Sequence, residues 1–225
     1  LLDHVLPRYL AHLSKTVLHG AAVGMGPETI LLLGETGAGK STLAAYLSMT
    51  EAELLSDDAV IGEANEDGML VKPTYPTLRL WESSIKGLYS SRPQTRPVAH
   101  YSSKLRVDVE THIPARDTPR RLAAIYRLVR GDADAEISIC SVGTRDACMS
   151  LIQNAFQLEP GDPRLFGSAA DIAGKAPMFD LDYADDFDRL GDVRDAVTGH
   201  VRSQRRHGRL SRSKPKLPEA VLAGY

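Results

Sequence analysis

The sequence predicts an α/β domain with a mixed β-sheet, and two patterns support this prediction. Short apolar runs typical of strands alternate with stretches of helical periodicity along most of the 225 residues. Several predicted strands are short and closely spaced, which favours a sheet that contains both parallel and antiparallel pairs. Hydrophobic residues make up 43% and charged residues 25% of the chain, which is sufficient for an ordinary globular core.

In the first half of the chain, apolar runs bounded by turn residues predict strands, and 3.6-residue periodicity predicts helices. An amphipathic helix is predicted over residues 1–14. The elements that follow are two strands, a helix and a third strand, at residues 17–23, 29–33, 41–47 and 53–61. The Pro-rich stretch 71–98 predicts short strands, with a helix at 81–89.

In the second half, strands are predicted over residues 102–109, 122–129 and 137–140, and a helix over 145–157. The charge then reverses, because residues 180–195 hold seven Asp and two Arg, whereas residues 201–216 hold seven Lys or Arg and no acid. Such blocks are usually solvated or disordered. The alternative is a basic tail that folds back on the acidic segment or holds an acidic partner. We therefore assign residues 1–200 to a single domain and residues 201–225 to a basic C-terminal tail.

Composition excludes several classes of protein. A net charge of −2 does not suit a dedicated nucleic-acid binder, which needs a basic surface. No apolar run approaches the roughly 18 residues of a membrane-spanning helix, and the N-terminus does not resemble a signal peptide. Two cysteines, Cys140 and Cys148, make neither a disulfide framework nor a zinc site. We expect a cytoplasmic protein with no nucleic-acid or membrane partner.

One segment matches the phosphate-binding pattern G-x-x-x-x-G-K-[ST] (P-loop, Walker A) in full, and an apolar run precedes it while a helical stretch follows. Its residues are Gly34, Glu35, Thr36, Gly37, Ala38, Gly39, Lys40, Ser41 and Thr42. Glycines let backbone N–H groups turn toward phosphate oxygens, and the helix N-terminus adds its positive dipole end. Lys40 can reach the β- and γ-phosphates, and Ser41 can ligate Mg²⁺. The segment predicts binding of ATP, or another nucleoside triphosphate, with Mg²⁺.

Two adjacent carboxylates, Asp57 and Asp58, end an apolar run sixteen residues after Ser41. Only one turn and one helix fit in that gap, so we expect this strand to pair directly with the strand before the loop. Its C-terminal end then faces the phosphates. Neighbouring side chains in a strand point to opposite faces, so one carboxylate is available for Mg²⁺ and the other for the acceptor's proton or for bracing the strand end. The alternative is a solvated strand end.

The order Leu18-His19-Gly20, then the loop, then Asp57-Asp58 resembles the catalytic domain of HPr kinase/phosphorylase, a family related to ATP-dependent phosphoenolpyruvate carboxykinase. The chain looks most similar to the stand-alone HPr-kinase-like proteins found beside lasso-peptide biosynthesis genes, which are serine kinases of the precursor peptide. The resemblance covers roughly residues 15–200, and its specific motifs lie in the first third. It implies that family's P-loop core, a peptide or small-protein serine acceptor, and self-association into homo-oligomers.

The resemblance also implies residue roles. The loop binds the nucleotide phosphates, with Ser41 on Mg²⁺, and Asp57 and Asp58 supply the metal contact and the catalytic base. We assign the base to Asp58 and the metal contact to Asp57, although the sequence does not distinguish them. His19 then lies beside the base and tunes it or relays its proton. The alternative for His19 is a hydrogen-bonded strand residue.

The chain departs from the family where an acid-Ile-Arg-Gly segment follows the Asp pair. The nearest equivalent keeps the arginine as Arg79 and replaces the acid by Leu78, which weakens the expectation of HPr as substrate and of the reverse reaction. Lys104 and Arg106 either approach the transferring phosphoryl group or guard a strand edge. Trp81, beside a leucine, is expected in the core, and its alternative is a platform for a peptide.

Two other functions remain as alternatives to a serine kinase. One is a small-metabolite kinase of the shikimate-kinase kind, although no Arg-rich lid sequence is obvious. The other is a nucleotide-gated binding protein. The Asn-Lys-x-Asp guanine reader of GTPases and the Leu-Ser-Gly-Gly signature of transporter ATPases are both missing from the sequence.

Overall fold

The structure is a computed structural model that describes residues 5–12, 16–50, 52–66, 68–74, 77–99, 102–108, 118–132, 134–156 and 162–206. The helices in these residues are α1 (Val5–His12), α2 (Lys40–Ser48), α3 (Glu82–Leu88), α4 (Thr144–Gln153), α5 (Pro163–Lys175) and α6 (Leu190–Arg206), with a 3-10 turn at Phe187–Arg189. The strands are β1 (Thr16–Leu18), β2 (Ala21–Met25), β3 (Glu28–Leu33), β4 (Glu53–Asp57), β5 (Val60–Asn65), β6 (Gly68–Lys72), β7 (Thr77–Leu80), β8 (Thr95–Ala99), β9 (Ser102–Asp108), β10 (Arg120–Gly131), β11 (Ser138–Ser141) and β12 (Met178–Ala184).

Nine of these strands form one sheet. Seven follow the order β1-β5-β6-β10-β3-β2-β4, while β12 also pairs with β10 and β11 pairs with β12. The pairs of β10 with β3 and with β12 are parallel, and the others are antiparallel. A separate antiparallel sheet has the order β7-β9-β8. The predicted α/β class with a mixed sheet is therefore confirmed.

The core lies on both faces of the large sheet. Ile30 and Leu32 of β3 belong to the cluster of buried residues that includes α2, α3 and α6, whereas Leu31 and Leu33 belong to the cluster that includes α4 and α5. Successive strand side chains point to opposite faces, so an uninterrupted apolar run is what a strand covered on both faces needs. This burial fixes β3, and with it the start of the loop that follows.

The predicted strand at 53–61 is two strands, and its predicted pairing with β3 is wrong. Asp58, with φ +72°, turns the chain between β4 and β5. β4 pairs with β2, because the β2–β3 hairpin already occupies that edge of β3 and β10 occupies the other. The predicted strand at 17–23 is also divided, by a bend at His19 and Gly20 between β1 and β2.

The acidic segment 180–195 forms regular secondary structure, so the expectation of a disordered block is wrong, whereas its aspartates are exposed or half-buried as expected of a solvated one. Phe179, Leu181 and Tyr183 of β12 are buried, and the aspartates between them are half-buried, which is the alternation of a strand with one face in the core. The segment continues through the 3-10 turn into α6, which passes residue 200 and ends at Arg206. Helix α5 was not predicted. Residues 207–225 lie outside the described part, and the division into domain and tail stays a prediction.

The predicted helix at 1–14 corresponds to α1, and its residues 1–4, 13 and 14 lie outside the described part. In the part of the chain that the structure describes, no helix has both the length and the apolar character needed to cross a bilayer.

Candidate functional site

A cleft of about 480 Å³ opens where β3 ends. The loop and the start of α2 form its floor, and the end of β4 together with His19 forms one side. The beginning of α3 and the small sheet form a second side, and the connection from β12 to α6 forms a third. Ligand sites of α/β proteins lie at such carboxyl ends of strands.

Three glycines give the loop its backbone path. Gly34, Gly37 and Gly39 have φ values of +140°, +89° and +93°, which side chains of L-residues disfavour. A Cβ at Gly39 would lie 2.9 Å from the hydroxyl of Tyr183, whereas a Cβ at Gly37 would meet nothing within 4 Å. Backbone turns of this kind form concavities whose N–H groups bind anions, and the N-terminus of α2 adds its dipole there.

Lys40, the first residue of α2, folds back over the loop. Its Nζ donates to the carbonyl oxygens of Gly34, at 2.7 Å, and Glu35, at 2.9 Å. Burial, and after it the charge of Lys104, lower the pKa of Lys40. An ammonium held by neutral carbonyls can exchange them for the charged oxygens of a phosphate, which bind it more strongly.

Asp57 connects α2 with strand β7 of the small sheet through two hydrogen bonds. Its Oδ1 accepts a hydrogen bond from Ser41 Oγ at 2.8 Å, and its Oδ2 accepts one from the backbone N–H of Arg79 at 2.9 Å. Burial raises the pKa of Asp57, while these two hydrogen bonds lower it. A second contact, between Thr42 Oγ1 and Ser84 Oγ at 2.9 Å, connects α2 with α3.

Asp58 lies beside Asp57 but has different partners. Its Oδ2 accepts a hydrogen bond from Arg79 Nη1 at 2.5 Å. His19 Nδ1 lies 3.1 Å from the carbonyl oxygen of Asp58 and 3.5 Å from its Oδ1. The expectation that the two carboxylates point to opposite faces is wrong, because the left-handed backbone of Asp58 turns the chain and both carboxylates reach Arg79.

His19 is held by the segment that follows α4. Its backbone N–H donates to the carbonyl oxygen of Asn154 at 2.6 Å, and the ring of Phe156 meets its imidazole edge-on, with centroids 6.0 Å apart. A Cβ at Gly20 would lie 2.6 Å from the carbonyl of Leu32, so only glycine fits this bend. Burial, and after it the charge of Lys40, lower the pKa of His19, which favours a neutral imidazole at pH 7.

The candidate residues farther along the chain differ in whether they reach the cleft. Arg79 and Lys104 line the cleft, and Arg106 is not among the residues that line it. Trp81 is 43% exposed at the cleft, so the expectation of a core tryptophan is wrong. Leu78 and Leu80 take the buried positions of β7, and the following residue falls on the outward side, where it precedes α3.

The third side of the cleft was missed by the sequence analysis. It contains Tyr183, Phe187 and an ion pair between Arg130 Nη2 and Asp185 Oδ1 at 2.7 Å. The alternation of apolar residues across 178–184 is the signal that could have found it, since that strand ends at the same edge of the sheet.

The donor set fits a magnesium ion that arrives with a nucleotide. The Ser41 hydroxyl and the Asp57 carboxylate are hard oxygen ligands on adjacent elements. Among the described residues, no group of three or more His, Cys, Asp or Glu could hold a metal by itself. Mg²⁺ is usually bound through one or two protein oxygens, with phosphate oxygens and water completing its shell.

Comparison with known proteins leaves the family open. No model of a known protein family matches the chain, and no curated protein matches it. Among solved structures, the chain is similar to the Hpr(Ser) kinase/phosphatase from Coxiella burnetii, with 9% identity and a TM-score of 0.44. The similarity covers 86% of this chain and 98% of that one. At this TM-score it assigns neither a family nor an activity.

Proposed function

We propose that the chain is an ATP- and Mg²⁺-dependent phosphotransferase that moves the γ-phosphoryl group to a serine hydroxyl. The observation that carries the proposal is the different bonding of two adjacent carboxylates. Asp57 is bonded to Ser41 of the loop, whereas Asp58 is bonded to Arg79 and lies beside His19. One carboxylate therefore suits the metal, and the other suits the acceptor.

Binding of the nucleotide rests on the loop and α2. The backbone N–H groups of residues 34–41 and the Lys40 ammonium would hold the β- and γ-phosphates. Ser41 and Asp57 would hold Mg²⁺, which when bound neutralises charge on the phosphate oxygens. The hydrogen bond between Ser41 and Asp57 supports this assignment, because it places both ligands within reach of one ion.

Transfer rests on Asp58. Its carboxylate would take the proton of the serine hydroxyl as the oxygen lone pair forms the new bond to the γ-phosphorus. The bond between that phosphorus and the β–γ bridging oxygen breaks, and its electron pair leaves with ADP. Arg79 fixes the orientation of Asp58, and the Nδ1–H of a neutral His19, which faces both the carbonyl and the carboxylate of Asp58, would help to hold it there.

For the acceptor, we propose a serine on a peptide or small protein, and by resemblance a lasso-peptide precursor. Exposed aromatic side chains at the cleft support a polypeptide, since Trp81 is 43% and Phe187 is 38% exposed. Such rings offer contact area that a small polar metabolite does not need. The rim ion pair of Arg130 and Asp185 is the feature that would suit a small charged metabolite instead.

The test is transfer of labelled γ-phosphate from ATP into a size-fractionated host lysate. The variants are Lys40→Ala and Asp58→Asn, and Asp108→Asn is the control because its carboxylate pairs with Arg96 on the exposed side of the small sheet. We expect acid-stable label in a peptide or protein fraction with wild type and the control, and none with the other two. Label only in small molecules supports a metabolite kinase. ATP binding without any transfer supports a nucleotide-gated binding protein.

A further inference from the structure

Lys104 faces the loop from the opposite side of the cleft. It belongs to β9, the central strand of the small sheet, and its side chain is half-buried in the cleft lining. Its Nζ lies 5.7 Å from the centre of the Trp81 ring. The pairing of β7 with β9 ends at Leu80 opposite Leu105, so Trp81, the residue after β7, falls beside Lys104.

The bonding of the cations in the cleft sets Lys104 apart. Arg79 is paired with Asp58, Arg130 is paired with Asp185, and Lys40 is bonded to carbonyl oxygens. Lys104 forms no ion pair with any carboxylate in the residues that the structure describes. An ammonium that is not engaged in an ion pair is available to a bound phosphate, which would supply a charged acceptor for its hydrogen bonds.

The charge of Lys104 also reaches the residues around the loop. After burial, it is the next contribution to the lowered pKa of Lys40. It acts in the same direction on His19, after burial and Lys40, and it opposes the effect of burial on Asp57. The ammonium is thus within electrostatic range of all three residues, and the four side chains line one cleft, in which the γ-phosphate of a bound nucleotide would lie.

We infer that Lys104 is a catalytic residue that donates a hydrogen bond to the γ-phosphoryl group, and that Trp81 is the residue that positions it. The inference rests on the proposed function for the transfer step. The ammonium keeps its proton and forms no covalent bond, so its contribution is charge stabilisation of the equatorial oxygens. The indole face holds the ammonium through a cation–π contact, which gives the exposed Trp81 a role in the cleft.

The first variant is Lys104→Met, with Lys86→Met as its matched control, since Lys86 is an exposed lysine of α3 outside the cleft lining. We expect Lys104→Met to lower kcat about 100-fold, as for loss of one charge-stabilising donor. We expect it to weaken binding of a non-hydrolysable ATP analogue about 10-fold while leaving ADP affinity unchanged. Lys86→Met should change neither quantity.

The second pair of variants tests Trp81. We expect Trp81→Leu to lower kcat and the affinity for the ATP analogue about 3- to 10-fold, which is the range of a single cation–π contact. Trp81→Phe keeps an aromatic face and should recover most of the loss. A purely structural role for Trp81 would instead weaken ADP and the ATP analogue equally and would not distinguish Phe from Leu.

The binding measurement separates failure of the inference from failure of the proposed function. If wild type transfers phosphate and Lys104→Met does so equally well, the inference is wrong and the proposed function stands. If wild type transfers to no acceptor, the proposed function fails. In that case, loss of preference for the ATP analogue over ADP in Lys104→Met still supports the γ-phosphoryl contact, and unchanged preference overturns it.

Discussion

Ser41 Oγ donates a hydrogen bond of 2.8 Å to Oδ1 of Asp57, and this bond joins the first turn of α2 to the last residue of β4. The two elements meet although β2 separates β4 from the strand that carries the loop. The backbone N–H of Arg79 holds the other oxygen of the same carboxylate, so the Asp57 side chain is fixed from two directions. The bond therefore holds two side-chain oxygen atoms in a fixed relation beside the loop.

The first prediction concerns the magnesium requirement. Asp57→Asn removes the negative ligand but keeps the shape, since the amide can accept from Arg79 N–H and donate to Ser41 Oγ. We expect the Mg²⁺ concentration for half-maximal transfer to rise about 10- to 100-fold, as for loss of groups that support a metal site. A Mg²⁺ titration at saturating ATP measures this, with Asp108→Asn as control. An unchanged midpoint would show that Asp57 is not a ligand.

The second prediction is a gain in stability from the same variant. Burial raises the pKa of Asp57 above its usual 3.8, so the folded protein binds its proton more tightly than the unfolded chain does. The free energy of unfolding therefore loses this contribution as pH rises above about 3.8. Asn carries no charge, so we expect Asp57→Asn to have a higher Tm than wild type at pH 7, with the difference shrinking toward pH 4. Thermal unfolding across this pH range without nucleotide measures it.

The same substitution is thus expected to weaken the response to Mg²⁺ and to raise the stability of the fold, a trade-off that is common where a charge is buried for function. Asp57→Ala provides the comparison, because it leaves Ser41 Oγ and the Arg79 N–H without their acceptor. We expect the alanine variant to be no more stable than wild type at pH 7. Equal stabilisation by Asn and Ala would indicate that the two hydrogen bonds contribute nothing.

The loop was predictable from sequence because its determinants are local. The glycines, lysine and serine act through spacing along a few residues, and the apolar run before them is a strand covered on both faces. The sequence also predicted that Ser41 and Asp57 lie close together, although the strand pairing on which that prediction rested was wrong. A single sequence does not show that a hairpin strand, β2, lies between β3 and β4, since strand order depends on long-range contacts.

Other parts of the cleft depend on relationships that spacing does not encode. The left-handed backbone of Asp58 turns a carboxylate expected on the opposite face toward Arg79. Trp81 is exposed because Leu80 takes the last buried position of β7. In β12, frequent aspartates concealed the alternation of buried side chains, so the third side of the cleft was taken for solvated sequence.

The third prediction tests how Arg79 acts. Its guanidinium bonds Asp58, while its backbone N–H bonds Asp57, so a side-chain substitution affects only the first contact directly. We expect Arg79→Met to lower kcat about 100-fold by releasing the base from its orientation, with little change in ATP affinity. Arg79→Lys should recover only part of the rate, because an ammonium lacks the guanidinium's planar geometry. Transfer kinetics with a parallel ATP-binding measurement separate the two effects.

If Arg79→Met instead weakens ATP binding as strongly as it lowers kcat, the arginine contacts the nucleotide phosphates directly. Arg92→Met is the control for arginine loss on this side of the molecule, because Arg92 pairs with Glu82 at an exposed position. That control should change neither measurement.

The fourth prediction uses two loop glycines that differ in surroundings but share a positive φ. Ala at Gly37, with φ +89°, meets nothing within 4 Å and should cost only backbone strain, about 1–2 kcal/mol. Ala at Gly39, with a similar φ of +93°, would be strained in the same way and would also approach the hydroxyl of Tyr183 at 2.9 Å. We therefore expect Gly39→Ala to destabilise the fold and weaken ATP binding more than Gly37→Ala does. Denaturant unfolding and ATP titration measure the two effects.

A double variant isolates the contact from the strain. Tyr183→Phe removes the hydroxyl, whose hydrogen bond to the carbonyl of Ala38 is long at 3.5 Å, so alone it should change stability by less than about 1 kcal/mol. Combined with Gly39→Ala, it should restore stability to the level of Gly37→Ala and no further, because the strain at φ +93° remains. Full recovery would mean that the backbone tolerates alanine there. Absence of any recovery would mean that the Tyr183 hydroxyl does not limit the loop, and that the strain alone requires glycine.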